Sequence, residues 1–379
     1  MITRRLLRLR LAFPKPRRTD GPVRLRRRSA RRTLACGLIS FVAACAALSV
    51  TLDSYRVEWL DPEFGHRLNQ IRALQAKSPD RPLLLFVGTS RTQMAISPSA
   101  MGFPDEPGSP QPYNLGYRSA GPSAAALNVF RVIDAGHTPA AVFVEFAPQT
   151  LMARNPAHEW PAKWPGRLSY SDLARIRELG TTEDGTPGAS GSRAVWATAA
   201  VPWAGNRLTL MSHWFPEWVP LRDQRNRESE AMDGFGFRPP FWVPVPAEHG
   251  RTSLENVRKN LEQSKQLHKT QIHQSVDLAY AALIRRCQAL RVRVVFVRNP
   301  ESPAFRSWYS PECIAATNAY ASQLIQKYGV TVFPGPEHLE ESDFADGFHM
   351  YKHGAERYSR WLADTHIKPW IASGGLKGR

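Results

Sequence analysis

The stretch "LLLFVGTSRTQ", Leu83 to Gln93, holds the decision about the fold. Leu83 to Gly88 is a short, almost wholly apolar run that stops abruptly at Thr89-Ser90-Arg91. A run of that length, rich in Leu, Phe and Val, fits a strand buried on both faces. Three others resemble it: Ala140 to Phe146, Arg291 to Val297 and Gly329 to Phe333. Helical patterns precede them over Pro122 to Ala135, Leu254 to Leu290 and Glu312 to Lys327. Strand and helix in alternation imply an α/β fold with a parallel sheet and helices on both faces.

Toward the N-terminus the composition changes sharply. The formal net charge is +17, but thirteen cations and one carboxylate stand before Thr33, so this arm (residues 1–32) carries +12 and everything after it only +5. The chain is a nearly balanced body with a basic arm, and no nucleic-acid partner is expected. Next comes "TLACGLISFVAACAALSVTL", residues 33–52, without a charge. As a helix it rises about 30 Å, the thickness of a bilayer's hydrocarbon core. Arginines crowded before it favour a cytoplasmic N-terminus, with the chain from Asp53 onward outside. The expectation is a single-pass signal anchor in the inner (cytoplasmic) membrane. A cleaved signal peptide, a lipoprotein box at Val42-Ala43-Ala44-Cys45 and a buried soluble helix are the competing readings. The arm could also bind nucleic acid or anionic lipid, although topology alone accounts for it.

Residues 53–81 read as a linker or stalk with a short helix, and residues 82–370 as the main domain. Between about 150 and 250 the strand–helix rhythm breaks into a Trp- and Pro-rich insertion containing "TTEDGTPGASGS". Its tryptophans suit either sugar rings or a small core of its own. Cys36 and Cys45 sit in the apolar span. Cys287 and Cys313 read equally as a disulfide or as two core residues. No cysteine–histidine spacing suggests a metal, and no cofactor is expected.

In open parallel sheets, ligands bind beyond the carboxyl ends of the strands. The first strand ends on Ser90, which is either a helix cap or a nucleophile. Near the C-terminus, Asp346 and His349 stand three apart, a spacing that lets a carboxylate orient an imidazole as a base. His353 is a decoy close by. In "YNLGYRSAGPS", Gly116 reads either as a plain turn or as a backbone donor that joins the Ser90 N–H at an oxyanion. Arg91 and Arg118 would add positive potential there, or form surface ion pairs.

Together these blocks resemble the SGNH (GDSL-type) hydrolase superfamily, in particular its membrane-anchored extracytoplasmic branch related to polysaccharide and cell-wall O-acyl transfer. Gly88-Thr89-Ser90 matches the first block, Asn114-Leu115-Gly116 the second, and Asp346-Gly347-Phe348-His349 the last. The resemblance covers Leu83 to Ala363. It implies a flavodoxin-like three-layer sandwich, a serine nucleophile at Ser90, Asp346 and His349 as its partners, and a Gly-plus-Asn oxyanion hole. The third block departs from the pattern: "EFAPQT" stands where Gly-x-Asn-Asp is usual. Gln149 and Asn299 are the substitutes within reach of that role. The resemblance implies a serine esterase or O-acetyltransferase acting on an acylated polysaccharide, with a membrane acyl-donor protein as a further partner. A catalytically weak binding or scaffold subunit is the alternative.

Overall fold

The computed structural model describes residues 23–118, 121–152, 167–179, 202–220, 229, 231–239, 247–263 and 265–376. The first part of the basic arm, the stretch 181–192, and Trp160, Trp164, Trp196 and Trp242 lie outside the described residues. Contacts divide the chain into two units, Met1–Ala47 and Leu48–Arg379. In the first runs most of helix α1 (Val23–Val50). Among the described residues it is the one helix long and apolar enough to cross a membrane, with a mean hydropathy of 2.1 over an 18-residue window within Arg28–Asp53.

The second unit is the α/β body. Its strands are β1 (Leu83–Val87), β2 (Gln111–Asn114), β3 (Ala141–Phe146), β4 (Arg293–Arg298) and β5 (Thr331–Phe333). They form one parallel sheet in the order β2-β1-β3-β4-β5, the order of flavodoxin-like folds. Strand alternation supplies both cores. Leu83, Leu85 and Val87 face one cluster with Val142, Val144 and Phe296. Leu84 and Phe86 face the other with Phe143, Val295 and Val297.

On the first face pack α3 (Pro62–Lys77), α5 (Pro122–Asp134), α6 (Tyr170–Leu179), α9 (Gln274–Ala289) and α10 (Pro311–Tyr328). On the second lie α4 (Ser90–Ala95) and α11 (Lys352–Leu362). Between α1 and α3 runs the single-turn α2 (Val57–Leu60). The insertion contributes α7 (Pro202–Trp214), and α8 (Ala247–Gln263) precedes α9. Ends are marked locally. Asp61 accepts from the Phe64 amide at the start of α3. Ser310 accepts from the Cys313 amide ahead of Pro311, the usual opening of a helix.

Two differences from the sequence reading stand out. Gln111–Asn114, which no apolar run marks in the sequence, is an edge strand paired with β1; Pro112 is tolerated there because an edge strand leaves some amides unpaired. The supposed stalk belongs to the body, since Phe64, Leu68 and Ile71 are core residues. Its charges are buried too. Asp61, Asp172 and Arg131 form ion pairs at 3.2 and 2.5 Å, and Glu63 pairs with Arg67 and Arg167. This network joins α3, α5 and α6. The cysteines resolve in favour of the core reading: Cys287 and Cys313 are buried free thiols in separate clusters.

Candidate active site

The turn after β1 carries two hydroxyls with separate tasks. Thr89 is the helix cap: its Oγ1 accepts the Arg91 amide at 3.1 Å. Ser90 is thereby released from capping, and its Oγ lies 2.8 Å from His349 Nε2. On the far side of the ring, His349 Nδ1 lies 2.8 Å from Asp346 Oδ2. Such a chain fixes the tautomer with the proton on Nδ1 and leaves Nε2 free to accept.

Local chemistry builds the histidine turn. Asp346 Oδ1 accepts the amides of His349 at 2.9 Å and Phe348 at 3.3 Å, so one carboxylate holds both backbone and ring. Gly347 makes the turn possible: its φ is +92°, and a Cβ there would lie 2.7 Å from Leu254 Cδ1. Burial alone would raise the Asp346 carboxyl. The bonds from the His349 ring and from the two amides outweigh that and hold it below its ordinary value. The segment after this turn is also tied to α4, the helix that opens at Ser90. Ser359 of α11 donates to the Ala95 carbonyl at 3.1 Å and accepts the Ser97 amide at 2.8 Å.

Other residues proposed from the sequence have different places. Gly116 is not a free donor, because its N–H donates to Asn114 Oδ1 at 2.8 Å. It is a glycine for packing: a Cβ would sit 2.4 Å from the Gln93 amide nitrogen. Asn114 is turned inward as well, its Nδ2 donating to the carbonyls of Thr92, Gln93 and Ile96 at 3.0, 3.2 and 2.6 Å. It caps the C-terminal end of α4. Arg91 is 2% exposed and paired with Glu301 at 2.8 Å, with its guanidinium over the Phe305 and Phe348 rings. Its charge is compensated inside the protein, so it braces α4 against the segment after β4 and the histidine turn and supplies little field at the rim. Gln149 lies in the turn Pro148–Leu151 after β3. Asn299 follows β4 and lines a void of about 10 Å³ with Thr92 and Glu145. His353 is exposed and meets the Ser342 carbonyl at 3.1 Å, away from Ser90.

One residue escaped the sequence reading. Glu145, 4% exposed, projects from β3 beneath the turn that carries Ser90. It accepts the Thr89 amide at 2.7 Å, the Thr89 hydroxyl at 3.0 Å and the Thr92 hydroxyl at 2.8 Å. A lone carboxylate inside the apolar run "AAVFVEF" was the available signal, since a buried charge requires partners. No model of a known protein family matches the chain, and no curated protein is similar to it.

Proposed function

We propose that the body is an extracytoplasmic serine esterase or O-acyl(acetyl)transferase of the SGNH type, held by α1 in the inner membrane with its N-terminus in the cytoplasm, and acting on an acylated cell-envelope polysaccharide. The observation that carries this reading is the continuous Ser90–His349–Asp346 hydrogen-bond chain, 2.8 Å at each link. Ser90 Oγ attacks the ester carbonyl while its proton passes to His349 Nε2. Asp346 stabilises the imidazolium, which returns that proton to the departing alkoxide and leaves an acyl ester on Ser90. Water or a sugar hydroxyl, deprotonated by the same nitrogen, then takes the acyl group and restores the serine. The Ser90 amide, first in α4 and without an intrahelical acceptor, is a donor for the oxyanion.

One specific observation favours a second reading, a catalytically weak polysaccharide-binding or scaffold subunit. The amides of Thr89 and Gly116 and the side chain of Asn114 are all engaged internally. Loss of one oxyanion donor slows acyl transfer by about 100- to 1000-fold. Hydrolysis of p-nitrophenyl acetate by the purified full chain tests both. Turnover that vanishes in Ser90→Ala and His349→Ala supports the enzyme, whereas equal rates in all three proteins reject it.

A further inference from the structure

The insertion helix α7 buries one side and leaves the other bare. Leu210 is fully buried in a small cluster with Leu52, Leu60, Leu48 and Trp59. Trp59 also meets Trp214 edge-on, with ring centroids 5.4 Å apart. These contacts fasten α7 to residues 48–60, the stretch of chain that directly follows the apolar segment. Around that attachment stands a group of uncovered aromatics. Trp203 is 49% exposed, Trp214 46%, Phe215 43%, Trp218 67% and Tyr55 76%. Phe215 and Trp218 stack on one another, their centroids 4.9 Å apart, without covering either ring's outer face.

Soluble surfaces seldom gather this many large apolar rings. Tryptophan and tyrosine have a known preference for the headgroup level of a bilayer, where the ring body is sheltered and the polar tip stays wet. We propose that α7 and the Pro216–Trp218 turn form a second membrane contact, an aromatic collar seated in the bilayer interface from which the chain emerges. The occupant is phospholipid. The argument is continuity: Leu48 and Leu52 end the apolar segment and are the same residues that hold α7 in place. A collar fixes the height and tilt of the body above the bilayer, which one tether cannot do. The inference rests on α1 spanning the membrane and is independent of the chemistry at Ser90.

The test is Trp fluorescence of the full chain reconstituted in phosphatidylcholine nanodiscs, with and without bromine on the acyl chains near the headgroups. Bromolipid should quench the parent, and Trp203→Gln/Trp214→Gln/Trp218→Gln should lose much of that quenching. Trp218→Gln alone, which disturbs only the stack on Phe215, should lose part of it with an unchanged circular dichroism spectrum. Equal quenching in parent and variants would overturn the collar while leaving the span intact. A change of oligomeric state in Trp218→Gln, without any change in quenching, would assign the patch to a second copy of the chain and overturn it too. A chain that fails to enter the discs would overturn the span, and the collar with it.

Discussion

The Thr89 amide donates to Glu145 Oε2 at 2.7 Å, binding the turn that carries Ser90 to the adjacent strand of the sheet. The same carboxylate accepts from the hydroxyls of Thr89 and Thr92. Glu145→Ala strands these donors in a buried space, at a cost of about 2–4 kcal/mol. Glu145→Gln keeps one acceptor oxygen and should cost less. Urea unfolding measures both, and p-nitrophenyl acetate turnover should fall in kcat with little change in KM.

Asp346→Asn preserves an oxygen for the amides of Phe348 and His349 but removes the negative charge beside Nδ1. The fold should therefore persist while acyl transfer drops by roughly 10³- to 10⁴-fold, through the wrong imidazole tautomer. Steady-state hydrolysis together with a circular dichroism melt separates the two effects.

Acid should loosen the helical layer before it disturbs the sheet. Burial acting alone would raise the Asp172 carboxyl, but Arg131 overrides it, and with the Ser169 amide and Arg175 brings it down to about 2 from 3.8. Because the folded value is depressed, its contribution is complete above the unfolded value and is lost as pH falls through the folded one. On the order of 2 kcal/mol should disappear between about pH 5 and pH 2. Asp172→Asn should flatten that slope in a series of urea titrations, while lowering stability at neutral pH because Arg131 loses a buried partner.

Arg291 lies at φ 58°, in the left-handed region. The Arg291 amide bonds to Gln288 O and the Val292 amide to Cys287 O, the helix-ending pattern that glycine usually completes. Arg291→Gly should stabilise the body by about 1 kcal/mol. The check is a rise of about 2 °C in the thermal midpoint.

Sequence patterning exposed β1, β3, β4 and β5, because all four announce themselves as apolar runs, although β5 lies at the sheet edge and is only partly buried. It hid β2, whose Gln111, Pro112 and Asn114 form no apolar run and whose extended form depends on pairing with β1. Spacing brought out Ser90, Asp346 and His349, since each stands beside a turn its neighbours enforce. Spacing could not say which way the Gly116 amide points, and the structure turns it onto Asn114. Residues 61–67 read as part of a linker because their charges gave no sign of a buried place, yet Glu63 pairs with Arg67 and Asp61 with Arg131 inside the body, and α3 packs into the core. Within Leu254 to Leu290 the break falls at Lys265, at φ 53°, a residue type that gives no warning of a left-handed turn.

Ser90 and His349 are separated by 259 positions along the chain. During synthesis the serine is made first and precedes its histidine partner by roughly 10–50 s at ordinary elongation rates. Throughout that interval it is an ordinary alcohol, inert toward any ester it meets. On the esterase reading, truncated products ending before His349 would remain so permanently, and reactivity would begin only when the last helices close over the sheet.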